Sequence, residues 1–174
     1  MKSRFSVLLV VLLFISFFSN AQEKTKKQIK QEKKLALQME VEKLVNSKEF
    51  IFIGTTAFPR GYRSVTLSTN SNYVKFHPEN IESYMPYYGR AYNAGASMSD
   101  PGLKFEGNPT VYTFETTKKD HRIKAVVKAA ADNYTISLIV SFDSSASLSI
   151  TSNNRNSISY NGQIYPYPTQ TESK

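Results

Sequence analysis

The sequence predicts a mainly β domain, in which one N-terminal α-helix precedes an antiparallel meander of about eight to ten strands. The strongest observation is the alternation from Tyr134 to Phe142, where every second residue is apolar. Turn-forming residues also recur roughly every 8–12 residues through the second half of the chain. This rhythm is typical of a barrel-like or a two-layer arrangement, and the sequence leaves that choice open.

The first 21 residues are predicted to be a signal peptide. Lys2 and Arg4 form a basic start, residues 5–18 are almost entirely apolar, and residues 19–21 are small or polar, as a cleavage site requires. The apolar run is shorter than the roughly 20 residues that span a bilayer. No cysteine follows it. We therefore expect export to the periplasm or the cell exterior, without a lipid anchor through cysteine and without a transmembrane span in the mature chain.

The rest of the chain is predicted to form a basic flexible segment at 22–34, a single β-rich domain with its N-terminal helix at 35–167, and a loose tail at 168–174. The segment 22–34 holds six lysines against two glutamates, which is half of the formal charge of +8. The basic composition therefore describes this segment and does not predict a nucleic-acid-binding face. Because the chain has no cysteine, packing without disulfides must hold the domain together.

Local patterns predict the elements in order. Leu37, Val41, Leu44 and Val45 form the apolar stripe of a helix over residues 35–45, and Asn46 and Ser47 are predicted to end it. The consecutive apolar residues 50–53 predict a first strand, at 49–56, that is buried on both faces. Alternating residues between turns predict further strands at 64–68, 73–77, 103–107, 111–115, 123–127, 134–142, 146–150 and 158–164, with a bulge or tight turn at Asn161–Gly162.

A tyrosine-rich stretch, residues 83–93, separates the short early strands from the longer late ones. Tyr87, Tyr88 and Tyr92 lie beside Arg90 and are candidate binding residues, since such rings and a guanidinium suit a recognition patch. Asn154 and Arg155 are further candidates in a later turn. We favour a structural interpretation, in which Pro86 and Gly89 set a bend and the rings alternate between core and rim.

Three ordered motifs carry a resemblance to a known family. They are Met85-Pro86-Tyr87-Tyr88-Gly89-Arg90-Ala91-Tyr92, then residues 103–107 (Leu-Lys-Phe-Glu-Gly), then residues 151–155 (Thr-Ser-Asn-Asn-Arg) followed by Ile158-Ser159-Tyr160. In this order and spacing the chain resembles the exported Bacteroidetes family of domains of unknown function numbered 4251, over roughly residues 43–164. The resemblance implies export and brings no activity, substrate or catalytic residue with it. Asp143-Ser144-Ser145 stands where family members commonly have a glycine turn.

The motifs of catalysis are scarce. Thiol chemistry requires cysteine, and the two histidines, His77 and His121, flank separate turns and are predicted to be surface residues without a metal-binding spacing. No Gly-x-Ser-x-Gly elbow occurs. Asp100, Glu106 and Glu115 are the carboxylates that a glycoside hydrolase would have to pair. The sequence therefore predicts no catalytic residue, no metal and no cofactor.

The leading functional hypothesis is a non-catalytic binding or interaction module of the cell envelope, whose partner is another envelope protein or a small ligand. The first alternative is a carrier that holds a small apolar ligand in a β-barrel cavity lined by residues such as Tyr134, Leu138 and Phe142. The second alternative is a hydrolase. Filled interior packing would favour the module, and an interior cavity of roughly 300 Å³ or more would favour the carrier.

Overall fold

The computed structural model describes residues 25–68, 71–90, 102–129 and 132–167. One helix and ten antiparallel strands lie in these ranges, so the predicted fold class is confirmed. In the described part of the chain, no helix has the length and apolar character that crossing a membrane requires. The elements are α1 (Lys26–Ser47), β1 (Phe50–Pro59), β2 (Val65–Thr66), β3 (Tyr73–His77), β4 (Asn80–Pro86), β5 (Gly102–Gly107), β6 (Pro109–Thr116), β7 (Asp120–Lys128), β8 (Asn133–Ser141), β9 (Ser145–Ser152) and β10 (Ile158–Pro166).

The helix α1 begins at Lys26, nine residues before the predicted start at Leu35. A capping box explains the difference. The Thr25 backbone N–H donates to Oε1 of Gln28 at 2.8 Å, and the Gln28 N–H donates to Oγ1 of Thr25 at 3.4 Å. This reciprocal pair satisfies two free amides at the helix start, so it offsets the unfavourable lysines near the positive end of the helix dipole.

The second half of α1 contributes a narrow apolar stripe to the core. Val41 and Val45 are buried and Leu44 is half-buried, as predicted, whereas Leu37 is exposed. The helix passes through Asn46 and ends after Ser47. Lys48 adopts the left-handed backbone conformation, with φ of 59°, and its N–H donates to the Val45 carbonyl at 3.2 Å. The helix therefore ends at Ser47, one of the two predicted terminators, and the left-handed residue is Lys48 and not Asn46.

One ten-stranded sheet contains every described strand. Its order is β5-β4-β3-β1-β10-β9-β8-β7-β6, and β2 pairs with β1 beside this path. The two end strands, β5 and β6, are consecutive in the chain, and the β5 end reaches the far side of the sheet. The Phe105 ring of β5 stacks on the Tyr134 ring of β8, with centroids 3.9 Å apart. The sheet is thus barrel-shaped and nearly closed, which settles the choice left open by the sequence.

The interior of the sheet is filled with side chains. Tyr134, Ile136, Leu138 and Val140 of β8 all point inward, so the strongest predicted alternation is confirmed, while Phe142 lies just beyond the strand. In β1 the prediction was half right, because Phe50 and Phe52 are buried whereas the alternate residues are only half-buried. The other buried apolar residues are Ala57, Val74, Phe76, Ile81, Met85, Leu103, Phe105, Ile123, Ala125, Val127, Ala146, Leu148, Ile150, Ile158, Tyr160 and Ile164.

A β-bulge interrupts the pairing of β1 with β10. Gly54 pairs with Gly162 and Thr56 with Asn161, so Thr55 is the extra residue. The predicted irregularity at Asn161–Gly162 therefore lies opposite these residues, in β1. The Thr55 hydroxyl donates to the Asn161 carbonyl at 3.2 Å. Beyond the bulge, β1 exchanges its neighbour β3 for β2, because a bulge bends a strand and increases its twist.

The turn between β8 and β9 contains Asp143, Ser144 and Ser145. Ser144 has φ of 66°, a conformation that side chains other than glycine, asparagine and aspartate seldom adopt. Asp143 compensates, because its Oδ1 accepts from the Ser145 N–H at 3.2 Å and from the Ser145 hydroxyl at 2.5 Å. These hydrogen bonds hold the pKa of Asp143 below its ordinary value.

Candidate functional site

A tight turn after β1 presents the first arginine of the candidate site. Pro59 to Tyr62 forms the turn, in which the Tyr62 N–H donates to the Pro59 carbonyl at 3.3 Å. Gly61 has φ of 80°, as the third position of a type II turn requires. Arg60 occupies the corner of this turn, so its backbone is fixed while its side chain is exposed.

The tyrosine-rich stretch presents the second arginine. The Tyr87 hydroxyl lies 2.9 Å from the Arg90 carbonyl and 3.2 Å from the Asn156 carbonyl, and its single proton can be donated to either. The Asn156 N–H donates to the Arg90 carbonyl at 3.2 Å. The Arg90 backbone is therefore held from two sides, and its exposed side chain projects from an anchored position.

Arg155 connects this stretch to the strands around it. Its Nη1 donates to the Gly102 carbonyl at 2.7 Å, and its guanidinium carbon lies 5.2 Å from the centroid of the Tyr87 ring. Arg155 thus joins the loop after β9, the start of β5 and the end of β4. Since Nη1 and the planar face of its guanidinium are both engaged inside the protein, Arg155 holds the site together.

Tyr160 holds the start of the tyrosine-rich stretch through a hydrogen bond from the interior of the barrel. It is fully buried on β10, and its hydroxyl donates to the Pro86 carbonyl at 2.6 Å. Burial raises the pKa of Tyr160 far above its ordinary value, so the phenol stays neutral and remains a donor. The backbone at Pro86, where β4 ends, is therefore held in place immediately before the candidate residues.

The two arginines line one surface cavity of about 430 Å³. Its described lining consists of Arg60, Gly61, Tyr62, Arg90 and Asn156. Neither Arg60 nor Arg90 has an ion-pair or hydrogen-bond partner for its side chain in the described ranges, and the described lining residues include no carboxylate. Tyr62 is 59 % exposed and adds an aromatic wall. Two unneutralised guanidinium groups at one cavity create a local positive potential, which favours an anionic ligand.

The sequence-predicted site residues are only partly brought together. Tyr87, Arg90 and Arg155 meet as described, and Tyr88 lies exposed on the same stretch. Asn154 lies in the turn after β9, where its N–H donates to the Ser152 hydroxyl at 3.2 Å. Tyr92 lies outside the described residues. Arg60, Tyr62 and Asn156 were not predicted as site residues, because nothing in the local pattern places the turn after β1 beside Arg90.

His121, at the start of β7, corrects another prediction. Its side chain is 1 % exposed, so it is not a surface histidine. The ring stacks on Phe114 at 5.8 Å and meets the edge of Phe142 at 5.2 Å. Nδ1 lies 3.1 Å from Oγ1 of Thr116, and Nε2 is buried without a hydrogen-bond partner. The prediction was wrong because residue 121 shares the inward face of its strand with Ile123.

We expect the thermal stability of the protein to fall as the pH is lowered from 7 to 5. Burial lowers the pKa of His121, and the carboxylates of Glu42 and Asp120 oppose this effect without overcoming it. In the unfolded chain the imidazole titrates near its ordinary value of about 6.5, so the unfolded state binds the proton first. The stabilisation is therefore complete above about pH 6.5 and is lost as the pH falls through the lowered pKa of the folded state.

Melting temperatures measured across this pH range check the expectation. The His121→Phe variant keeps an aromatic ring between Phe114 and Phe142 but cannot titrate, so its melting temperature should vary less with pH. The matched control repeats the His121→Phe exchange in a His77→Gln background, in which the partly exposed histidine beside Glu49 is absent, and the exchange should reduce the pH dependence there by the same amount. Equal slopes for wild type and His121→Phe would contradict the assignment.

Within the residues that the structure describes, no three His, Asp or Glu side chains are grouped as a metal site would need.

Tyr112, like His121, has a buried polar atom without a hydrogen-bond partner, in this case its hydroxyl. The ammonium of Lys48 lies 5.2 Å from its ring centroid, and burial raises the pKa of Tyr112 to about 12. Tyr112 of β6 therefore serves as a neutral residue that packs against the core beside Lys48 at the helix end.

Comparisons with known proteins agree with the motif resemblance. The family model described as a domain of unknown function (DUF4251) matches residues 18–164. A crystal structure of a DUF4251 family protein from Bacteroides eggerthii DSM 20697 is similar, with a TM-score of 0.59 and 15 % identity over 75 % of this chain and 88 % of that chain. At that identity the likeness concerns the fold alone. No curated protein matches the chain. Since the family model covers most of the sequence, the protein belongs to the DUF4251 family of domains of unknown function.

Proposed function

We propose that the protein is a non-catalytic binding module of the cell envelope, and that it binds the acidic group of a ligand at the cavity between Arg60 and Arg90. One observation carries the proposal: two arginines on anchored backbones line the same cavity, and none of the described lining residues neutralises them. A guanidinium presents several donors in a planar fork, which matches the oxygens of a carboxylate or phosphate.

The chemistry of the lining favours binding over bond cleavage. Its described side chains are guanidinium, phenol and amide groups, which donate hydrogen bonds, and they include no carboxylate or imidazole to act as a general base. The exposed ring of Tyr62 offers a flat apolar surface beside the cations. A ligand that joins an acidic group to a ring-shaped neutral part, such as an acidic sugar, would contact both features.

The carrier alternative has less support. It depends on an interior cavity lined by residues such as Tyr134 and Leu138, but Leu138 is fully buried and the Tyr134 ring stacks directly on Phe105. The interior space around these residues is therefore occupied by other side chains. Filled packing around these residues, together with a surface cavity lined by polar side chains, supports a module that binds at its surface.

Binding of glucuronic acid and glucose 6-phosphate, with glucose as the neutral control, tests the proposal. Amide shifts in two-dimensional NMR spectra detect weak binding. We expect both acids to shift the amides of residues 60–62 and of Arg90, and to bind less tightly as salt is added. Replacing both arginines, as Arg60→Gln with Arg90→Gln, should weaken binding by at least about tenfold for each charged hydrogen-bond donor removed.

The matched control is Arg63→Gln. Arg63 is an exposed arginine three residues from Arg60, but it is not among the described residues that line the cavity. This variant should bind the acids as the wild type does, and all variants should unfold at the same urea concentration, since the exchanged side chains make no contact that folding requires. The proposal fails if glucose binds as well as the acids, or if Arg63→Gln weakens binding as much as the double variant.

A further inference from the structure

The strand β6 is the end strand of the sheet. It pairs with β7 on one side, and in the described part of the chain no strand pairs with its other side. In an end strand of this kind, alternate residues direct their backbone N–H and C=O groups away from the sheet. These groups form a row that a further extended segment can pair with.

Most side chains of β6 are also exposed to solvent. In the other long strands buried and exposed residues alternate, but in β6 only Pro109 and Tyr112 are half-buried and every other residue is exposed. Val111 is 44 % exposed on one face, and Phe114 is 37 % exposed on the other. An added strand would therefore find apolar contacts on both faces of β6.

The protection usual for an end strand covers only the beginning of β6. Pro109 and the irregular pairing between Pro109 and Val111 disturb the first residues. From Val111 to Thr116 the register is regular, and this stretch contains neither proline nor lysine, two residues that commonly block edge pairing. Its one charged residue, Glu115, lies across from Arg122 of β7. Six such residues offer an edge of about 20 Å.

The charge of the β6–β7 hairpin indicates what kind of segment fits. Residues 109–128 hold five basic residues against two acidic ones, a net charge of +3, whereas the whole of residues 35–174 carries only +2. Arg122 is paired with Asp120 at 2.9 Å. Lys118, Lys119 and Lys124 are exposed, and within the described ranges their ammonium groups have no hydrogen-bond or ion-pair partner. Lys124 lies directly across from Thr113 of β6. Because the Thr113 side chain is short, it does not cover the Lys124 side chain.

We propose that β6 is a docking edge that accepts an extended acidic segment of a partner protein as an additional antiparallel or parallel strand. Backbone hydrogen bonds along Val111–Thr116 would hold the segment, as in other cases of strand addition. The acidic side chains of the added segment would lie on the sheet face that carries Thr113 and Lys124. Its apolar side chains would lie on the opposite face, beside Phe114. A second copy of this chain is a poor occupant, because symmetric pairing of two β6 edges brings together two hairpins of charge +3.

A nine-residue peptide of alternating glutamate and valine, acetylated and amidated at its ends, tests the proposal with the whole chain. Amide hydrogen exchange should show protection of alternate β6 amides when the peptide is added. Two peptide controls separate strand pairing from simple charge attraction. Lysine in place of glutamate should abolish binding, and N-methylation of alternate peptide amides should do so as well, because it removes backbone donors and leaves the charge unchanged.

Charge variants of the protein complete the test. Lys118→Glu with Lys124→Glu should weaken peptide binding roughly tenfold at low salt. The matched control, Lys26→Glu with Lys27→Glu, changes the net charge equally in the exposed first turn of α1 and should bind the peptide several-fold more tightly than the hairpin variant. Arg60→Gln with Arg90→Gln should leave peptide binding intact, so the two proposals fail separately. Equal binding of the N-methylated peptide, protection elsewhere than in β6, no peptide binding, or self-association through β6 would each overturn the inference.

Discussion

Replacing Gly162 with alanine is expected to lower the free energy of unfolding by about 3 kcal/mol, as overpacking a rigid site does. Gly162 lies on β10, where it pairs with Gly54 of β1 at the bulge. A β-carbon at this position would overlap the carbonyl oxygen of Ile53 and would lie 2.9 Å from Cζ of Phe52. The obstacle is the backbone of the neighbouring strand, which can yield only if the β1–β10 pairing opens.

Urea denaturation of Gly162→Ala and Gly54→Ala measures this effect against a matched control. A β-carbon on Gly54 would come within 2.8 Å of Cε of Met85, the far end of a flexible side chain. Met85 can turn away, so Gly54→Ala should cost about 1 kcal/mol, as mild crowding does. If the two variants lose equal stability, the close approach of Gly162 to the Ile53 carbonyl is not what makes a side chain at position 162 destabilising.

Replacing Phe105 with alanine is expected to cost about 4 kcal/mol, the usual range for deleting a buried aromatic ring. Phe105 is 7 % exposed, and its ring lies 3.9 Å from that of Tyr134 with an angle of 10° between the planes. This stack joins β5, at one end of the sheet order, to β8 on the opposite side. The variant therefore removes apolar burial and also a contact that holds the sheet nearly closed.

Two measurements check this result. Urea denaturation gives the stability, and amide hydrogen exchange shows whether β4 and β5 open more readily than β8 and β9 in the variant, as loss of the closing contact predicts. Phe58→Ala is the control, because Phe58 lies on β1 but is 43 % exposed, and it should cost less than about 1 kcal/mol. A loss below that value for Phe105→Ala would show that closure does not depend on the stack.

These closing contacts also bear on the candidate site. Gly102, at the start of β5, accepts a hydrogen bond from Arg155, and Arg155 lies against the Tyr87 ring that anchors Arg90. A displaced β5 would therefore disturb the position of Arg90. We expect the remaining folded fraction of Phe105→Ala to bind acidic sugars less tightly than wild type, because the two arginines would no longer be held at one cavity.

Local patterns determined most of the strands of this protein. The alternation through β8 and β9 predicted which residues face inward, because a strand directs successive side chains to opposite faces and only one face of each is buried here. The stripe of Val41 and Val45 located the helix, because residues four positions apart lie on the same helix face. Its start was missed because the Thr25–Gln28 capping box outweighs the unfavourable lysine charges, and the strand β4 was missed because turn-forming residues surround it.

Only the tertiary structure decided the candidate site. The sequence pointed to Tyr87, Arg90 and Arg155, but their roles differ because Arg155 bonds inside the protein while Arg90 lines a cavity. Arg60 and Tyr62 reach that cavity from a turn about 30 residues earlier, and only strand pairing brings the two segments together. His121 was misplaced for a different reason, because it continues the inward alternation of Ile123 but lies before the predicted start of that strand. The period of a strand is encoded in neighbouring residues, whereas the neighbours of a side chain across the barrel depend on register and closure, which no local pattern specifies.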